Sequence, residues 1–461
     1  MCLVVGFMTL LDVSIVNVAL PSIQRGLHAS TADLSWVVSG YALTFGLVLV
    51  PAGRVGDARG RRTAFLVGLT LFTLASAACG LAQDPTSLVV SRLIQGAAGG
   101  VLSPQVSGLI QLLFRGEERG RAFGLFGATI GISTAVGPLL GGLLIHAAGE
   151  EHGWRWVFFV NLPIGVLAFI AALRLLPVRA RDTRQPIRGS FDPTGVLLLG
   201  AGVIALMLPL VQEQQWHSAA KWLLVALAAV LLTLFALWER RQTRVGHLPL
   251  VDLSLFSLRS YTLGCLLGLV YFAGFTTIFF IYTLYVQNGL QYSALQAGVA
   301  VTPFALGSAV TARIGGGIVH RYGRGLIAVG LALVVVGMGT AILAVELVPG
   351  RGAGFATAAP LLVAGLGSGL VISPNVILTL DEVPVNRAGI AGGVQQTGQR
   401  IGSAAGIALV GAVFFARLSA SGNWAHAFTV GLSTAAGLVL IALILALADL
   451  YGTRARASRA A

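Results

Sequence analysis

The chain has 461 residues, 56% of them hydrophobic and only 10% charged, and its mean hydropathy is +0.86. A soluble globular chain carries about 25% charged residues, so a cytosolic enzyme, a disordered chain and a disulfide-stapled secreted domain are excluded, and a polytopic membrane protein remains. The 30 Lys+Arg against 17 Asp+Glu, a net charge of +13, sit in short clusters between apolar runs; none is long enough to track phosphates, so the expected partner is a lipid bilayer and not nucleic acid.

Apolar runs of about 20 residues, enough to cross roughly 30 Å of hydrocarbon, occur fourteen times: 1–20, 34–53, 63–82, 86–110, 122–145, 157–176, 194–212, 220–238, 261–284, 295–313, 325–346, 356–380, 388–411 and 427–449. Threading them puts 23 basic residues on the side of the termini and 5 on the other, with Arg92 and Arg400 inside spans. The bias places both termini in the cytoplasm. The first run is too long for the apolar core of a signal peptide, and it starts at Met1 without a basic flank, which leaves room for a natural start upstream.

Asp12, in the first span, belongs to Leu11-Asp12-Val13-Ser14-Ile15-Val16-Asn17-Val18-Ala19-Leu20-Pro21. A carboxylate at that depth costs several kcal/mol unless it is protonated, paired or facing water, which makes Asp12 a proton-coupling candidate; the alternative is a packing acid tied to a neighbouring donor. Asn17 is assigned to a substrate cavity. After the second span, Gly53 to Arg62 reads as a loop with glycines for tight turns. There Asp57, near a helix N-terminus, could pair with arginines such as Arg61 and latch the inner face, with Gly53 part of the device; a solvated basic loop is the alternative.

In the fourth span Arg92, Gln95, Gly96, Gly99 and Gly100 share a helical face. Arg92 and Asp12 lie at depths that differ by roughly 3 Å at 1.5 Å per residue, so the two could meet, as a coupling pair or as a structural ion pair. Gln95 is assigned to the cavity. The fifth span repeats the GxxxG spacing of close helix contact, and Gly137, Pro138 and Gly141 mark a hinge between two halves. Along the thirteenth span Gln396 and Arg400 share a face, read as the wall of a polar cavity or as interhelical hydrogen-bond glue.

An internal repeat divides the chain. Gly53-Arg-Val-Gly-Asp57 is echoed by Gly316-Gly-Ile-Val-His320, Ser103-Pro104 by Ser373-Pro374, and Arg119 by Arg387, at offsets of 263 to 270 residues. The expected architecture is all-α, with a six-helix bundle over 1–176, a linker carrying two extra spans over 177–259, a second six-helix bundle over 260–450 and a tail over 451–461. The second copy has His320 where the first has Asp57, so the latch should be asymmetric.

Signatures of catalysis are missing: there is no HExxH, no GxSxG and no cysteine pair at metal-ligand spacing. The single lysine, Lys221, is not in a Gly-Lys-Ser/Thr loop, so no ATP site is expected. Neither a cofactor nor a metal is called for, and an ion gradient or a partner must supply the energy.

The first-span LDxSIVNVALP, the GRxGDxxGRR segment, the RxxQGxxGG fourth span and the GPxxGG fifth span, in that order, resemble the major facilitator superfamily. The first-span motif, the inserted pair of spans and the Trp154–Pro163 run are similar to its fourteen-helix drug:proton antiporter branch. The resemblance implies two bundles related by a pseudo-two-fold axis. It also implies a monomeric exporter of the bacterial inner membrane that exchanges protons for amphipathic, often cationic, drugs or metabolites, with any adaptor partner left open. A proton-coupled importer of the same fold and a membrane receptor are the alternatives.

Overall fold

A computed structural model describes residues 1–149, 151–176, 192–213, 216, 218–245 and 249–460. The linker arginines Arg179, Arg181, Arg184 and Arg188 fall outside the described residues. Fourteen long helices follow one another, with no strand among the described residues. They are α1 (Cys2–Leu27), α2 (Thr31–Arg59), α3 (Arg61–Leu81), α4 (Pro85–Leu113), α5 (Gly116–Ala148), α6 (Trp154–Leu175), α7 (Pro193–Val211), α8 (Ala219–Arg244), α9 (Arg259–Gly289), α10 (Leu295–Tyr322), α11 (Arg324–Leu347), α12 (Gly350–Leu380), α13 (Ala388–Ser421) and α14 (Trp424–Ala460).

Thirteen of these are long and apolar enough to cross a membrane. The remaining one, α4, has the length, with 29 residues, but is diluted by Arg92, Gln95, Gln105 and Gln111, all of which are buried. Large apolar side chains such as Leu74, Leu167, Leu197 and Leu347 lie exposed on the helices. Water would penalise such a surface and hydrocarbon would not.

Several helices run on past their apolar windows. The second reaches Arg59 and the tenth reaches Tyr322. Gly53 to Arg59 is therefore helical, not a loop, and the turn is confined to Gly60, whose φ of 110° suits a residue without Cβ. The glycines before it serve close packing.

The chain divides into two compact units. The first comprises Met1–Leu113, Gly141–Leu258 and Val383–Thr397; the second comprises Phe114–Leu140, Arg259–Glu382 and Gly398–Ala461. Most of α5 and the first turns of α13 are thus built into the unit to which the rest of their sequence neighbourhood does not belong, and the inserted α7 and α8 pack within the first unit. Pro138 sits inside α5 just before it changes unit.

The internal repeat is visible in matched details of the two units. Ser30 and Asp33 close a reciprocal capping box at the start of α2, as Ser293 and Gln296 do at the start of α10. In the first unit a Cβ on Gly53 would strike the backbone of Gly389 at the start of α13. In the second, a Cβ on Gly316 would strike that of Gly120 at the start of α5.

Candidate functional site

Helix α1 buries Met8, Leu11, Asp12, Ile15, Val16 and Ala19, a stripe at helical spacing that includes one acid. Asp12 is 0% exposed and Arg92 2%. Arg92 Nη1 donates to Asp12 Oδ2 at 2.6 Å. The other carboxylate oxygen, Oδ1, accepts from Gln95 Nε2 and from Asn161 Nδ2, each at 2.9 Å. The carboxylate is therefore held by three side-chain donors from α4 and α6, and a buried charge is tolerated only with such pairing.

The guanidinium is equally committed. Its Nε donates to Val37 O on α2 at 3.1 Å, its Nη1 also reaches Gln95 Oε1 at 2.8 Å, and its Cζ lies 4.2 Å from the centroid of the Tyr41 ring. Asn161 extends the network to α3, donating to Ser76 Oγ at 3.0 Å, and Ser76 in turn donates to Phe158 O at 2.9 Å. Five helices of one unit thus converge on one carboxylate.

A second polar centre in the same unit joins the end of α2 to the start of α13. Asp57 Oδ1 accepts from Arg61 Nε at 3.0 Å and Nη2 at 2.8 Å. The backbone N–H groups of Gly389 and Ile390 donate to its two oxygens at 3.3 and 3.0 Å. The acid therefore sits on the N-terminus of α13, where the helix dipole and unpaired amides favour negative charge. Arg61 donates further to Val385 O at 2.6 Å and to Gly108 O. Two turns beyond the Asp57 contact, Gln396 of α13 bonds Ser103 and, at 3.3 Å, Ser107 of α4. The corresponding position of the second unit carries His320, which meets Gly116 O at 3.2 Å and no helix-start amide. Asp57 and His320 are thus bonded differently.

The other sequence-derived residues are distributed differently from expectation. Gln95 is 0% exposed, and both ends of its amide serve the Asp12–Arg92 network. Asn17 is exposed and bonds its own backbone at Val13 O, 3.3 Å away. Gln396 and Arg400 share a helical face, yet the division between units falls between them, at Thr397/Gly398. Gly141 packs on Ile15 of α1 in the first unit, while Pro138 packs beside Gly298 of α10 in the second. Gly127 and Gly131 allow α5 to approach Ser373 and the Ala305–Ala309 turn closely.

Two features escaped the sequence. Asn161 donates to Asp12, a role that its place in the Trp154–Pro163 run and its lone amide among apolar residues do not announce. In the second unit, Phe275, Phe279 and Phe304 line a small cleft with Thr134 and Ser308. The rings of Phe279 and Phe304 meet edge to face at 4.9 Å.

The model of the Major Facilitator Superfamily matches residues 2–407. The chain belongs to the major facilitator superfamily. The family's fold agrees with that of a solved proton:xylose symporter of the superfamily, which aligns with a TM-score of 0.67 at 14% identity over 96% of this chain and 93% of that one. Among curated relatives, a probable actinorhodin transporter of Streptomyces coelicolor is 36% identical over 89% of this chain and 71% of its own length. A tetracenomycin C resistance and export protein of Streptomyces glaucescens is 34% identical over 89% of this chain and 74% of its own. This major facilitator chain is a multi-pass membrane transporter.

Proposed function

We propose that this transporter is a proton-coupled exporter: an antiporter that moves amphipathic compounds, cationic ones among them, out across the bacterial inner membrane by alternating access, as a monomer with both termini cytoplasmic. The observation that carries the reading is the Asp12 carboxylate, 0% exposed and bonded to Arg92, in a chain whose relatives are named for antibiotic export and resistance. Such a charge is stable only while its partners hold it. Opening the site to water on one side lets a proton take the place of the guanidinium, and opening on the other lets it leave. The absence of a P-loop from the sequence agrees with gradient-driven work.

In this mechanism Asp57 and Arg61 fasten the start of α13 to α2 and keep the cytoplasmic side shut, and the Gly137-Pro138 region of α5 bends as the halves rock. A proton-coupled importer of the same fold is not favoured: the likeness to a symporter is one of fold alone. Energised everted vesicles are expected to accumulate a fluorescent amphipathic cation and to lose it on addition of a protonophore. Accumulation only in right-side-out vesicles would reverse the direction of transport.

The α2–α13 contact carries its own expectation. Asp57→Asn loses charge-assisted bonds worth about 1.5–3 kcal/mol each when well made, and Gly53→Ala drives a methyl group into Gly389, with overpacking that costs about 1–3 kcal/mol. Both variants should be produced at normal levels yet export slowly. Wild-type export rates in both would leave the contact without a role in gating.

A further inference from the structure

The mechanism above leaves α7 and α8 without a task, although their ends carry a half-buried acid, Asp192, and a buried one, Glu239. Asp192 Oδ1 caps α7 by accepting from Gly195 N at 2.9 Å, and its Oδ2 accepts from the Trp238 indole of α8 at 2.9 Å. The next residue, Glu239, is 0% exposed, and its Oε2 accepts from Val251 N at 3.2 Å. Beside Val251 stands Asp252, whose Oδ1 accepts from Ser254 N at 2.9 Å while its Oδ2 accepts from Arg387 Nη1. Arg387 is the last residue before α13, two positions from the Gly389 amide that Asp57 holds.

Apolar contacts follow the same route. Phe235 of α8, Leu250, Val251, Val50 of α2 and Ile390 of α13 form one buried cluster. Ionic and apolar links from the inserted pair therefore end on the same turn of α13 that Asp57 grips from the other direction.

We propose that the inserted helix pair is a clamp, which through Asp252 on Arg387 holds the first turn of α13 in place and sets how readily the Asp57 contact opens. Its consequence for transport rests on the reading of that contact as the inner gate. The strength of the link suits a part that must release in every cycle. With Asp252 20% and Arg387 44% exposed, the pair is screened by solvent and far weaker than a buried one. It is also permanent across cellular pH. Partial burial pushes the Asp252 carboxyl up, but the bonds from Ser254 and Arg387 outweigh it and hold the group below its ordinary 3.8, so the charge is lost only in strong acid.

The test is hydrogen–deuterium exchange of the purified full chain, read on the peptide that spans residues 388–394. Asp252→Asn and Arg387→Gln are each expected to speed exchange there about fivefold, the scale of one half-exposed ion pair. The double variant should be no faster than either single one, and Asp252→Glu should match wild type. Adding Asp12→Asn, which stops proton coupling on the reading above, should leave the fivefold response intact, so that the clamp and the coupling fail separately. Unchanged exchange in both single variants, or effects that multiply in the double variant, would overturn the clamp.

Discussion

Asp12→Asn is expected to abolish proton-driven export while the protein still folds and still binds substrate. The asparagine is nearly isosteric and keeps one oxygen for Arg92, but it cannot take up or release a proton. Asn161 can turn its own oxygen toward the new amide, whereas Gln95, whose Oε1 accepts from Arg92, gives up one bond, a loss of about 1 kcal/mol that leaves the fold intact. Binding should weaken by no more than the tenfold that about 1.4 kcal/mol represents. Protonophore-sensitive efflux from loaded cells should fall to the level of cells that lack the transporter. Export at a normal rate would make Asp12 a packing acid.

The largest loss of stability is expected at its partner. Arg92→Ala leaves the Asp12 carboxylate buried with two neutral donors, and removing one side of a buried pair costs about 3–5 kcal/mol. The void beside the Tyr41 ring and the lost bond from Arg92 Nε to Val37 O add to that loss. The thermal midpoint of the purified protein should drop sharply and transport should cease. Arg92→Lys should recover only part, because an ammonium has no planar fork to reach Val37 O, Gln95 Oε1 and Asp12 together. The double variant Asp12→Asn with Arg92→Gln removes both charges and should melt above Arg92→Ala. A wild-type melting point for Arg92→Ala would mean that the pair contributes nothing to the fold.

Much of this architecture is legible in the sequence because the hydrocarbon layer imposes it. Fourteen apolar runs coincide with fourteen helices, since a membrane-spanning segment must be both apolar and hydrogen-bonded to itself. The ends are less legible: once a helix leaves the apolar layer nothing in its hydropathy marks it, so the segment from Gly53 to Arg59 reads as loop although it is helix. Gly53 meets Gly389, more than 300 residues away in sequence, and no local pattern announces that.

The site divides along similar lines. Asp12 and Arg92 are recognisable because charge inside an apolar run is expensive and depth along a helix is arithmetic. Asn161 is not, since its importance lies in a partner on another helix. Gln95 and Asn17 are polar in the expected places, but which way an amide turns is settled by packing: Gln95 turns to the ion pair, and Asn17 to its own backbone. Gln396 and Arg400 share a face of α13, and periodicity gives no sign that the helix passes from one compact unit to the other between them.

The central claim is that Asp12 carries the transported proton, and substrate-induced proton release from the purified transporter tests it most directly. In a weakly buffered solution with a pH-sensitive dye, adding an amphipathic cation to wild-type protein should release protons. Asp12→Asn should bind the same compound and release none. Release of protons by Asp12→Asn at the wild-type level would place the coupling group elsewhere.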